Sequence, residues 1–252
     1  MVPILMYHQV SSPAPAAYFR YTVTPPTFAR QMRALAAMGY ETVSLDRLAA
    51  ARSAGRPLPQ RSVAITFDDG FADAVRHALP VLARHRFTAT FFAVAGLLGM
   101  ASEWTRRRGV VMPLADADTL RAALGAGCTI GSHALTHRPL ADLQPADARE
   151  ELSESKKRLE DALGHAVHHL AYPYGSTRDD VRQAAAESGY QTACTTVDGA
   201  SGESDDLLML PRIEVRGDDS IVDFMCRVRT GHTLARLAHR ARVTMKVSDL
   251  AR

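Results

Sequence analysis

The chain has 252 residues, 46% of them hydrophobic and 23% charged, enough to bury a sizeable core without disulfide staples. A formal charge of +3 and an aromatic content of 6% supply neither the concentrated basic surface nor the interleaved aromatics of a nucleic-acid binder. The longest apolar run, around residues 91–100, is well short of the ~20 residues that a membrane-spanning helix needs. No linker-like stretch divides the chain, so a single domain is expected.

The first strand signal is at 3–6, in Met-Val-Pro-Ile-Leu-Met-Tyr-His, a start with neither the basic n-region nor the apolar h-region of a signal peptide. As it stands the sequence reads as soluble and cytoplasmic, or as periplasmic or secreted if a leader has been removed. Phe28, Met32, Leu35 and Met38 recur at helical spacing before Gly39, which is placed as a C-cap. Strand signals follow at 41–44 and 63–67. Ala74, Leu79 and Leu82 mark a helix that continues past Pro80, with a kink or late start expected there. The next strands are 88–94 and 128–131. Leu152, Leu159 and Leu163 mark the longest helix, which Gly164 ends.

After the strand 169–172, Thr177 with Asp179-Asp180 reads as an N-cap with an acidic first turn. The last strands are 191–196 and 212–215, and a basic helical tail is expected over 231–252 beyond a barrel domain spanning 1–230. Cys128, Cys194 and Cys226 form no C-x-x-C pair, and the first two read as small buried hydrophobes. Eight strand segments alternating with helices argue for a parallel sheet, open or closed.

The polar residues fall at the strand ends. His8 follows the first strand, Asp68-Asp69-Gly70 the third and His133 the fifth; Tyr172-Pro173-Tyr174-Gly175 ends the sixth, and Arg212 opens the last. In a barrel, the C-terminal strand ends gather on one rim, where active sites are built. Two adjacent carboxylates repel unless a cation or shared proton intervenes. Ser132-His133-Ala134-Leu135-Thr136-His137 offers two further ligands, which face one side if the stretch is helical. A mixed nitrogen and oxygen site suits Zn²⁺, and also Co²⁺, Ni²⁺ or Fe²⁺. Taken singly, each motif also reads blandly, as a solvated Asp-Asp-Gly turn or two surface histidines among ten.

Thr-Phe-Asp-Asp-Gly, Ser-His-x-x-x-His and Tyr-Pro-Tyr-Gly, in this order between Val63 and Gly175, resemble the polysaccharide deacetylase superfamily, carbohydrate esterase family four. The start, Ile4-Leu5-Met6-Tyr7-His8, resembles more narrowly its poly-N-acetylglucosamine deacetylase branch. The resemblance implies a distorted (β/α) barrel of seven or eight strands and hydrolysis of the amide of an acetamido sugar. It also implies that Asp69, His133 and His137 bind a divalent metal, most simply zinc, with Asp68 as general base. The physics agrees: the ion acidifies water and polarises the acetyl carbonyl, while the carboxylate removes the water's proton. The Tyr174 backbone N–H is expected to complete an oxyanion hole.

Two positions depart from the family. Ala171 stands where members carry an arginine that orients the base, and Arg212 is the candidate replacement. The family's late Leu-x-His is matched only by Leu237-Ala238-His239 in the basic tail, so His8 is the better candidate for general acid. Trp104, His168, His169 and Asp198 stay outside the expected core site. The leading reading is N-deacetylation of N-acetylhexosamine units in a poly-, oligo- or carrier-linked saccharide. Hydrolysis of a small non-sugar amide comes second, and a non-catalytic carbohydrate-binding relic last. No nucleic acid or integral membrane contact is expected; the run Arg236 to Lys246 is the one candidate for weak peripheral membrane contact.

Overall fold

The computed structural model describes residues 1–231, so the cationic run and His239 of the expected tail lie outside the described residues. Seven strands form a closed parallel ring: β1 (Ile4–Tyr7), β2 (Ser62–Phe67), β3 (Thr90–Ala93), β4 (Thr129–Ser132), β5 (His169–Ala171), β6 (Thr192–Asp198) and β7 (Leu210–Glu214). Closure comes from β1, which pairs with β2 through Leu5↔Ile65 and with β7 through Leu5↔Ile213. The expected strand at 41–44 shrinks to Glu41–Thr42, which pairs with the first residues of β2 and takes no part in the ring. The barrel therefore has seven strands rather than eight.

Helices clothe the outside: α1 (Pro25–Ala37), α2 (Leu45–Ser53), α3 (Ala72–His85), α4 (Ala117–Gly125), α5 (Pro145–Leu163), α6 (Asp179–Glu187) and α7 (Ile221–Thr230). The hydroxyl of Thr24 and the carboxylate of Asp116 accept backbone N–H groups at the starts of α1 and α4. Gly39 and Gly164 take left-handed conformations where α1 and α5 end. Helix α3 begins eight residues before Pro80 and runs through it, so no late start occurs. The expected cap at Thr177 fails: Arg178 is the N-cap of α6 and makes no side-chain cap hydrogen bond. Cys128 and Cys194 are buried free thiols. No helix among the described residues is long and apolar enough to cross a membrane.

Side chains on a strand alternate between its faces. Outward residues such as Leu5, Ile65, Phe91, Ile130, Leu170 and Ile213 pack beneath the helices. Inward residues Ile4, Ala64, Phe92, Ala171, Cys194 and Leu210 form a separate apolar plug that fills the lower barrel. That plug keeps water out from below and gives the residues above it a rigid floor.

Candidate active site

The same alternation carries each strand from plug to rim. Ile4, Met6 and His8 share one face of β1 and its extension; Ala64, Thr66 and Asp68 do so along β2, and Leu210, Arg212 and Glu214 along β7. Along β4 the pair is Gly131 and His133. A Cβ at Gly131 would run into the Phe92 ring, so the plug fits only if this position is glycine. Met6, His8, Asp68, Asp69, His133, His137, Arg212 and Glu214 all face one cavity of about 570 Å³.

Asp68 and Asp69 diverge because Asp69 leaves the strand in a left-handed conformation (φ 70°), followed by Gly70 (φ 67°). Asp69 Oδ1 lies 3.0 Å from His137 Nε2 and 3.4 Å from His133 Nε2. The ligating atoms of these three buried residues lie within 4.8 Å of one another. The 133–137 stretch is a loop, not the helical turn considered from sequence. Left-handed backbone at Ala134 (φ 60°) and His137 (φ 62°) brings the imidazoles together, rather than i,i+4 spacing on a helix. Buried Glu151, from α5, fixes the loop. Its Oε2 accepts the Leu135 and Thr136 N–H groups at 3.0 and 2.9 Å, and its Oε1 accepts the Thr136 hydroxyl. His133 Nδ1 is 2.7 Å from the Ala171 carbonyl oxygen, which leaves Nε2 to face Asp69.

Burial pushes the Asp69 carboxyl up, but hydrogen bonds from His133 and His137 outweigh it and hold the group well below its ordinary value. Burial lowers both imidazoles. It prevails at His137, whereas at His133 the hydrogen bond to Asp69 and the charges of Asp68 and Asp69 raise the pKa. Two imidazole nitrogens and one carboxylate oxygen, buried and aimed at one point, are a donor set that suits a divalent ion such as zinc.

Asp68 meets Arg212 in a two-pronged pair: Nη1 to Oδ1 and Nη2 to Oδ2, both 2.6 Å. The guanidinium also donates to Thr66 Oγ1 (3.1 Å) and the Thr195 carbonyl (2.9 Å). Burial would raise the Asp68 carboxyl; the Arg212 charge overrides it and lowers it. The sequence puts Arg212 at the opening of its strand, from where it would have to cross to reach Asp68. Strand β7 instead starts at Leu210, so Arg212 is its middle, inward residue, and the long side chain rises past Phe92 to Asp68. Ala171 belongs to the plug and has no side chain that could reach.

Around this centre stand His8, packed edge-on to the Tyr21 ring at 5.1 Å, and Trp104, stacked on His137 at 3.8 Å. Tyr174 (φ 59°) sits at a sharp turn over His137, its ring exposed. The next residue, Gly175, abuts Thr196, whose Cβ would lie 2.9 Å from an added Cβ, so this turn tolerates only glycine. Asp198 also lines the cavity, and Trp104 is part of its wall, although sequence left both aside. Neither Tyr18 nor Glu151 carries a sequence signal of a place in this site. Nothing local marks Tyr18 off from Tyr21, and Glu151 reads as an ordinary polar helix residue. His169 is buried at the start of β5, beside Asp46 of α2 at 3.0 Å, away from this mouth.

These features define an α/β-barrel protein with a buried Asp–His–His cluster and a separate buried Asp–Arg pair at the C-terminal mouth. The chain belongs to the polysaccharide deacetylase family, whose profile matches residues 55–193, more than half of its length. Bacillus subtilis YxkH, provisionally named as a polysaccharide deacetylase, is 28% identical over 214 residues, 85% of this chain and 71% of that protein. The poly-beta-1,6-N-acetyl-D-glucosamine N-deacetylase of Staphylococcus epidermidis is 26% identical over 234 residues, 85% of this chain and 78% of the relative. Among solved structures, the Streptococcus pyogenes deacetylase PplD in complex with acetate superposes with a TM-score of 0.78 at 27% identity, covering 90% of this chain and 97% of that one.

Proposed function

We propose that the protein is a metal-dependent N-deacetylase that hydrolyses the acetamide of N-acetylhexosamine units in a saccharide. The observation that carries this reading is the convergence of the His133 and His137 Nε2 atoms on Asp69 Oδ1, beside an Asp68 that does not join them but is held by Arg212. One carboxylate is thereby available as a ligand and its neighbour is kept ionised as a base. The deacetylase relatives support the choice of an acetylated saccharide as substrate.

Asp69, His133 and His137 hold the ion. When bound, it supplies Lewis acidity, polarising the acetamide carbonyl and acidifying water. Asp68 takes the proton of the attacking water, with Arg212 fixing the carboxylate's orientation. The Tyr174 N–H faces the developing oxyanion from the turn above His137. His8 gives a proton to the departing amine nitrogen; its buried Nδ1 has no hydrogen-bond partner among the described residues.

Metal analysis coupled to acetate release from a panel of neutral acetamido sugars and oligosaccharides tests the reading. One divalent ion per chain and acetate release that chelation abolishes are expected. A purified protein that holds no metal, or that releases acetate only from small non-sugar amides, contradicts it.

A further inference from the structure

The second oxygen of Asp69 has a partner that lies outside the part of the chain the family profile matches. Tyr18 donates its phenolic O–H to Asp69 Oδ2 at 2.9 Å, while Oδ1 faces the two histidines. The hydrogen bond is buried: Tyr18 is 6% and Asp69 4% exposed. Burial and the neighbouring aspartate push the phenol's pKa up, so it stays a donor.

The segment that bears Tyr18 is built to hold it there. A short 3₁₀ turn, Ala16–Tyr21, presents the ring between Tyr21 (centroids 5.0 Å apart) and the edge of Phe71 (5.8 Å). Thr22 Oγ1 shares its one proton between the Tyr18 carbonyl oxygen at 3.0 Å and Gln9 Oε1 at 2.7 Å, tying the turn to the residues just after β1. Gly217 donates its N–H to the Arg20 carbonyl and lies so close to the Phe19 and Thr22 carbonyls that no Cβ fits.

A carboxylate can grip a cation through one oxygen or through both. Gripping through both takes two coordination positions, whereas a hydrolytic centre with three protein ligands must keep positions open for water and substrate. We propose that Tyr18 is the positioning residue of this centre: its hydroxyl holds Asp69 Oδ2 away, so that the carboxylate offers Oδ1 alone. This rests on Asp69, His133 and His137 being the ligands. Tyr18 acts on the ion through Asp69.

The test compares wild type, Tyr18→Phe and Tyr21→Phe, each loaded with zinc or cobalt(II). Affinity is read by competition with a chromophoric chelator, and coordination by the cobalt d–d absorption. Tyr18→Phe is expected to weaken metal binding by about 10–100-fold and to alter the d–d band towards higher coordination. Tyr21→Phe, which removes a neighbouring phenol not bonded to Asp69, should leave both readouts as in wild type. Wild-type affinity and spectrum in Tyr18→Phe overturn the assignment. So do equal effects of the two variants, or a Tyr18→Phe protein that fails to fold without metal, because each makes Tyr18 a packing residue. If wild type binds no ion, or His133→Ala binds as wild type does, the ligand assignment fails instead, and the two failures are distinguishable.

Discussion

Replacing Arg212 with methionine removes the guanidinium that faces Asp68 through two 2.6 Å hydrogen bonds. The aspartate is 3% exposed, so water does not take the vacated place freely. Removing one partner of a buried pair costs about 3–5 kcal/mol, because a charge is left without compensation. For a chain of this size that lowers Tm by roughly 6–20 °C. The cost depends on pH in a definite sense. In the wild type the Asp68 pKa lies below 3.8, so its contribution to stability is complete above that value and fades as pH falls through the lower folded-state value. Without Arg212 the strongest lowering influence is gone while burial still acts, so the folded-state pKa moves up and the penalty is relieved as pH falls through the raised value. The stability gap between Arg212→Met and wild type should therefore be widest near neutrality and narrow on acidification. Urea unfolding at a series of pH values measures the gap, and the acid limb of acetate release should move to higher pH in parallel. A loss below about 1 kcal/mol, the range of an exposed ion pair, or a gap that does not vary with pH, refutes the reasoning.

Asp68→Asn should retain the metal and lose roughly 10²–10⁴-fold in turnover, since an amide cannot accept the water's proton; near-normal turnover at full metal content makes Asp68 structural. His8→Ala should flatten the alkaline limb of the pH–rate profile with metal content unchanged, and an unaltered profile returns the acid's role to another group. Glu151→Ala strips partners from the Leu135 and Thr136 N–H groups. Each buried orphan costs about 1–3 kcal/mol, and the loosened histidine loop should hold metal less tightly; unchanged melting and unchanged affinity together speak against the clamp.

Much of the architecture was legible because strands and amphipathic helices announce themselves by period. The plug-to-rim series Leu210, Arg212, Glu214 is visible as alternation once the strand is started two residues earlier than β-propensity indicates; Pro211 hid that start. The i,i+4 spacing of His133 and His137 is compatible with a helix, but the stretch is a loop. Its actual shape comes from left-handed Ala134 and His137, conformations that no side chain there favours and that Glu151 stabilises from 14 residues beyond His137. Thr177 has a capping side chain, yet α6 starts from Arg178, whose guanidinium donates to the Leu143 carbonyl. Partnerships such as Tyr18 with Asp69, 51 residues apart, follow from three-dimensional closure and leave no local trace.

Because β1 pairs with both β2 and β7, the ring can be sealed only when the last strand arrives. On the ribosome, Asp68 emerges 144 residues ahead of the arginine that neutralises it. Until then β1 and β6 present unpaired edges, which invite pairing with other chains, and contacts of such long range form slowly. Asp68 and its counterion thus come together in the same event that closes the barrel. A nascent or truncated chain without Leu210–Glu214 has open edges and an uncompensated aspartate at once, so the Asp68–Arg212 pair and the completed fold are acquired together, late in synthesis.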